Sequence, residues 1–445
     1  MDRIRELVPE LPRQAWAVLG GHTVSAVGSG LTLPFLLVYL NSVRGITLAT
    51  AGLAVSTVAL GSLFGNFGGG WLVDRIGARS AVIVGLVLSA GGTASLALVD
   101  STPAAFAATG LVGIGTGVTW PAEDALLATV VRARQRSAVF SVRFAATNAG
   151  LGIGALLAAG VVDIAVPWTF TAIYLGNAVA FLLYVPVLVV LVPHAGRAAT
   201  LGSSPGQARG GYRRVVRDRL FLGVWAVTAL VVTVSYGQYH SSFPAFATGE
   251  GGLSARGLSL AFAANTLTIV VAQLVVLRVM TGRRRTRGIM LACALWIITW
   301  TVTIVAGQVA GGLAVVLFAV AMVFFALGET LFSPTVPAIV NDLASDELRG
   351  RYNGMFMLAW TTGFMLGPAI AGFGLGAGLG SAFFGILIAA CVLTAAAARL
   401  LERRLPKEAN VITDAWADLE EPDVPPEPMG QGLRVAPVPP EVEPM

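Results

Sequence analysis

The chain has 445 residues, of which 56% are hydrophobic and only 12% are charged. So few charges cannot solvate a soluble protein of this length, which excludes a soluble globular class. The net charge of +5 does not point to nucleic acid, because the basic residues are scattered through short loops between apolar runs.

Met1 to Arg13 is polar, and the apolar run behind it is too long for a signal peptide and lacks a convincing cleavage site. Apolar stretches of at least ~18 residues predict membrane helices. They fall near 16–40, 47–73, 80–99, 104–130, 137–161, 168–192, 220–246, 257–280, 288–307, 311–340, 352–375 and 379–400. His22 in the first span can face a cavity or pack as a satisfied histidine. Cys293 and Cys391, the two cysteines, lie inside spans and lack the spacing of a metal site or a disulfide framework.

The second span runs into GGGWLVDRIGARS, Gly68 to Ser80, and the third begins directly after it. Asp74, Arg75 and Arg79 are costly in lipid and at home at a membrane surface. Gly70 and Gly77 let helices and a tight turn approach closely. Read as G-x-x-x-D-R-x-G-x-R, the string resembles the signature loop of the major facilitator superfamily, which lies between the second and third spans. The resemblance implies a gate in which Asp74 faces the positive N-terminus of span 11 near Gly350 to Tyr352.

Span 4 carries Glu123 and Asp124, and span 5 carries Arg143 at a similar depth. An Arg in lipid needs a partner, and these acids offer one. Adjacent acids point about 100° apart on a helix, so at most one faces Arg143 directly. Asn148 to Gly160, NAGLGIGALLAAG, permits tight helix packing. It resembles the Gly-rich fifth-span motif of the superfamily's antiporters, with Ala155 where that motif has Pro.

Pro193 to Gly211 is polar and reads as a flexible linker. Arginines cluster at Arg132, Arg134 and Arg136, at Arg213, Arg214, Arg217 and Arg219, at Arg283, Arg284, Arg285 and Arg287, and at Arg349 and Arg351. The alternate loops hold little beyond Arg44 and Arg256. This asymmetry places the Arg-rich loops and both termini in the cytoplasm. His240, near the end of span 7, is expected to meet water or headgroups. Tyr236, Gln238, Asn265, Phe325 and Trp360 are candidates, with His22 and Asn148, for lining a mixed apolar-polar pocket.

A self-comparison at an offset of 213 positions pairs Pro121 with Pro334, Arg136 with Arg349, Gly150 with Gly363 and Gly154 with Gly367, without a gap. Spans 4–5 and 10–11 are therefore copies of one unit, and parallel six-span repeats around a central cavity are the superfamily's architecture. Glu329 stands alone in span 10, in FALGETLFSPTVP, with no basic residue near it in sequence. A carboxylate there carries charge at a high cost, which suits a proton carrier. The stretch resembles the corresponding span of the superfamily's multidrug/proton antiporters.

The expected fold is an all-α integral membrane protein of about twelve helices in two pseudo-symmetric six-helix bundles. Residues 1–192 form the first, 193–218 the cytoplasmic linker, 219–401 the second, and 402–445 a disordered Pro- and acid-rich tail. The expected function is secondary active transport by alternating access in the cytoplasmic membrane, through proton-coupled efflux of amphipathic or cationic small molecules. Glu329, Arg143, Glu123 and Asp124 are the coupling and substrate residues, and Gly70, Asp74, Arg75, Gly77 and Arg79 form the gating loop. The expected partners are a small-molecule substrate and the bilayer, with no nucleic acid and no nucleotide. The proton gradient supplies energy without a cofactor. Proton-coupled uptake of a polar nutrient such as a sugar is one alternative, and it calls for more hydrogen-bonding groups in the cavity. A non-transporting receptor or assembly partner is another. No enzyme motif occurs.

Overall fold

A computed structural model describes residues 11–132, 135–192, 211–280, 282–345 and 348–411. Twelve long helical segments run through it: α1 (Arg13–Val43), α2 (Leu48–Ile76), α3 (Ala78–Ala97), α4 (Thr102–Val130), α5 (Arg136–Val161), α6 (Pro167–Leu191), α7 (Arg219–Thr248), α8 (Ala255–Met280), α9 (Arg285–Ala306), α10 (Gly312–Leu343), α11 (Arg349–Gly376) and α12 (Ser381–Glu402). Eleven are long and apolar enough to cross a membrane. The exception is α4, whose 29 residues are diluted by Gly, Thr and the Glu123–Asp124 pair and which is packed between α2 and α3.

The internal repeat is visible in the packing. In the first half α1 packs on α5 and α6, α2 on α4, and α3 on α4 and α6. In the second half α7 packs on α11 and α12, α8 on α10, and α9 on α10 and α12, the same pairs displaced by six helices. The glycines that the repeat matches are the crossing points. Gly150 and Gly154 of α5 face Ala26, Val27 and Gly30 of α1, while their mates Gly363 and Gly367 of α11 face Val232, Thr233 and Gly237 of α7. A side chain at either crossing would overlap backbone, so close approach accounts for them. Exposed apolar side chains such as Val190 and Leu393 cover the outside, as lipid contact requires.

Charged turns gather at one end, here the Arg-rich end. Gly77, with φ of 86°, makes the one-residue break between α2 and α3, a conformation that favours glycine. At this end Arg284, Arg287 and Arg399 converge on the buried Glu402, and Arg285 pairs with Asp342. Residues beyond α12 join them. Lys407–Asn410 forms a short helix, Asn410 caps the Thr286 amide at 3.0 Å, and Arg285 donates to the Ala409 carbonyl at 3.0 Å. The segment expected to begin the disordered tail is thus docked as far as Val411, held by hydrogen bonds that its composition does not advertise. Gly211–Arg217, from the expected linker, is helical. Asp218, the last residue of the expected linker, caps α7 by accepting from the Leu220 and Phe221 amides; residues 193–210 and 412–445, and Arg134, lie outside the described residues.

The bundles meet through α2 with α11 and α5 with α8. The α2–α11 seam lies at the end opposite the arginines. There a Cβ on Gly52 would overlap the Pro368 carbonyl and stand 2.9 Å from the Gly372 Cα, and one on Gly376 would lie 3.3 Å from the Ala49 amide. Toward the Arg-rich end the two helices are uncovered: a Cβ on Gly70 of α2 or Gly350 of α11 meets nothing within 4 Å, and Met357 is exposed. The molecule is closed at one end and open at the Arg-rich end.

Candidate functional site

Two groups of polar residues occupy the interior. The first lies in the first bundle, where α1, α4, α5 and α6 meet. Glu123 is fully buried and accepts a 2.7 Å hydrogen bond from the Tyr184 hydroxyl. Its Oε2 lies 2.9 Å from His22 Nδ1 and 3.7 Å from Arg143 Nη1. Asp124 is the direct partner of Arg143, at 2.7 Å, and its side chain is 46% exposed against 2% for Glu123. The two acids thus divide as their angular spacing demands: Asp124 turns with Arg143 toward the opening and Glu123 turns inward. Arg143 also lies over the Trp120 and Phe140 rings, 5.1 and 5.5 Å from their centroids, so its charge is covered on two faces.

The second group surrounds a cavity of about 90 Å³ between the bundles, with walls from α1, α5, α7, α8 and α10. Glu329, Tyr236, Tyr239, His240, Asn148, Asn265 and Thr266 are its polar lining; Pro34, Leu151, Phe262 and Ile269 are among its apolar lining. Glu329 stands deep in α10, 17 residues from Gly312 and 14 from Leu343. Among the described residues its carboxylate has no hydrogen-bond or ion-pair partner. Tyr239 bonds Asn265 at 3.3 Å, whereas Tyr236 Oη and His240 Nδ1 are buried without a hydrogen-bond partner among the described residues.

The cavity exists because α7 is not continuous. It breaks at Ser235 (φ −119°, ψ −81°) and Ser241 (φ −130°, ψ −77°) into Arg219–Val234, Tyr236–Tyr239 and Ser242–Thr248. The middle piece turns Tyr236, Tyr239 and His240 into the cavity. This corrects the expected place of His240 among headgroups. It also corrects Gln238, which does not line the pocket. Its amide donates to the carbonyl of Thr233, at 2.8 Å, beside the break, and to that of Gly367 on α11, at 3.1 Å. Phe325 is likewise core: it is fully buried, stacks on Tyr239 at 4.9 Å and packs on Trp296 and Trp300. Trp360 packs on Tyr236 at 5.0 Å, behind the cavity wall.

His22 was expected to line a cavity or to pack; the structure makes it the partner of Glu123. In the loop between α2 and α3, Arg75 lies over the Trp71 ring, 5.1 Å from its centroid. Asp74 is exposed, and Gly350 stands in open space, so the expected contact between Asp74 and the start of α11 is not made in this open form. Gly70 is likewise open, and Gly77 is the turn itself.

Two repeated six-helix bundles, a cavity between them and unneutralised polar groups on its walls define a membrane transporter. The family model described as Major Facilitator Superfamily matches residues 18–318 and again 241–422. The chain belongs to that superfamily and is a secondary transporter, not an enzyme. It is 26% identical over 366 residues to the uncharacterized MFS-type transporter YttB of Bacillus subtilis, covering 81% of this chain and 88% of that one. It is 30% identical over 154 residues to the multidrug resistance protein MdtH of Yersinia enterocolitica, 35% of this chain and 36% of that one. Among solved structures, a POT family transporter in complex with 5-aminolevulinic acid superposes with a TM-score of 0.74 at 15% identity, covering 89% of this chain and 96% of that chain. The nucleoside transporter NupG does so with 0.73 at 14% identity, covering 87% and 99%. At such identities the structural likeness concerns the fold.

Proposed function

We propose that the chain exports amphipathic or cationic small molecules across the cytoplasmic membrane in exchange for protons, by alternating access. The Arg-rich end faces the cytoplasm, following the positive-inside rule, so the form described above is the inward-open one.

One observation carries the reading: Glu329 lines the central cavity with no ion-pair or hydrogen-bond partner among the described residues. An ionised carboxylate at that depth is expensive, and it is relieved by a proton or by a cation. If the two compete for one carboxylate, loading one expels the other, which is exchange. The apolar and aromatic remainder of the wall suits ligands that need few directional partners. The partial match to a multidrug resistance protein supports the same reading. The test is pH-gradient-driven flux of a cationic dye in proteoliposomes, comparing the parent with Glu329→Gln.

The unpartnered Tyr236 hydroxyl and His240 nitrogen, with Asn148 and Asn265, favour a second reading, proton-coupled uptake of a polar solute. Such groups reject ligands that leave them unpaired. Competition of a sugar panel against the dye separates the two readings.

A further inference from the structure

The protons around His22 can be counted. Its Nε2 lies 2.7 Å from Thr147 Oγ1, and the Thr147 hydroxyl donates to the Arg143 carbonyl at 2.9 Å. A hydroxyl has one proton; with that proton on the Arg143 carbonyl, Thr147 offers Nε2 a lone pair and Nε2 carries hydrogen, whereas a hydroxyl turned to Nε2 would leave Nδ1 to donate to Glu123. Nδ1 faces Glu123 Oε2 at 2.9 Å, while Glu123 Oε1 is occupied by the Tyr184 hydroxyl. A neutral imidazole with its hydrogen on Nε2 would set a lone pair against a carboxylate lone pair at that distance. The contact closes with one more proton, either on Nδ1, as imidazolium beside carboxylate, or on Glu123, donating to Nδ1. Both forms hold the same number of protons.

Charge balance gives the same count independently. The titratable groups facing His22 are Glu123 and Asp124 from α4, Arg143 from α5 and Tyr184 from α6. Two carboxylates, the buried Glu123 and the half-exposed Asp124, and one guanidinium leave the cluster with a net negative charge. One proton on the His22–Glu123 pair makes the cluster neutral, the cheaper arrangement in a low dielectric.

We infer that the His22–Glu123 pair is a proton-carrying site in the first bundle, separate from Glu329 in the second. Its proton has an exit. Arg143 Nη1 is ion-paired with the half-exposed Asp124 and stands 3.7 Å from Glu123 Oε2. When Arg143 crosses that gap, Glu123 gains a permanent cation and no longer needs the imidazolium. The Nδ1–H bond then breaks with its electron pair left on nitrogen, and water takes up the proton. The role in transport rests on the proton coupling proposed above; the proton count does not.

The test has a spectroscopic arm and a transport arm, both on the full chain. The protein has 3 histidines, so ¹⁵N-imidazole NMR in detergent is assignable with His22→Gln, and the carboxylic-acid C=O infrared band with Glu123→Gln. A doubly protonated His22, or a protonated Glu123, is expected at neutral pH. A neutral His22 with its hydrogen on Nδ1 beside ionised Glu123, the Thr147 hydroxyl having turned to Nε2, would overturn the site. In proteoliposomes His22→Gln, with Glu329 intact, is expected to lose one coupled proton per substrate and to shift the pH profile; an unchanged proton count and profile would overturn its coupling role. If the parent shows no proton coupling at all, the exporter reading fails, and the spectroscopic arm still decides the site.

Discussion

The seam at Gly52 exists only while the end opposite the arginines is closed, which makes it a handle on the conformational equilibrium. A methyl group added there would overlap the Pro368 carbonyl and press on the Gly372 Cα at 2.9 Å. These are backbone atoms, so no flexible side chain can yield. Overpacking of this kind costs about 1–3 kcal/mol. Because the cost falls on the described form and not on one in which the seam has parted, Gly52→Ala should shift the ratio of the two forms by roughly 5- to 150-fold. The shift is read by labelling a cysteine at Met357, which is 54% exposed in the open mouth, after replacing Cys293 and Cys391. Labelling should fall in Gly52→Ala and remain at the parental level in Gly160→Ala, where a Cβ meets nothing within 4 Å. Equal labelling of Gly52→Ala and the parent, with both folded, would refute the assignment of this seam as a gate.

Three further outcomes follow from the contacts. Arg143→Ala should cost less than the ~3–5 kcal/mol of a fully buried pair, since Asp124 is 46% exposed, and Arg143→Ala combined with Asp124→Asn should cost less than the sum of the single changes; strict additivity in thermal unfolding would show the groups to be uncoupled. Gln238→Leu takes the side-chain donor from the Thr233 carbonyl beside the break and cuts the bridge to Gly367 of α11; it should destabilise the protein by about 1–3 kcal/mol, seen as a lower Tm in detergent, whereas an unchanged Tm would show that α7 does not need the amide. A cysteine at Arg283, exposed at the Arg-rich end, should react with an impermeant reagent only in opened cells; labelling from outside intact cells would reverse the orientation.

Much of this molecule is written in local sequence. Hydropathy marks the helices, and the 213-residue offset marks the repeat, because both are properties of the chain read in order. Glu329 is legible for the same reason: an acid far from both ends of an apolar run is conspicuous wherever the run packs. His22 is not, because its partner lies 101 residues away on another helix. A signal did exist. His22 lies 9 residues inside α1 from its start at Arg13, and Glu123 lies 7 inside α4 from its end at Val130. At 1.5 Å per residue the two stand within about 3 Å of one depth. The sequence does not show where Gln238 and His240 lie, because α7 reads as one regular helix. Ser235 and Ser241 break it, and a serine in an apolar run is a weak sign of a break when Ser56 and Ser89 sit in uninterrupted helices.

The sharpest test is flux through Glu329→Gln in proteoliposomes with an imposed pH gradient and a cationic dye. Glutamine keeps the shape of the protonated acid and removes the group that proton and cation would share. The exporter account predicts that the variant inserts and folds like the parent but no longer moves the dye against its gradient, while Glu329→Asp, with its carboxylate on a shorter arm, retains part of that flux. If Glu329→Gln drives the dye uphill as fast as the parent, with the same dependence on the pH gradient, then Glu329 is a structural residue and the account is contradicted.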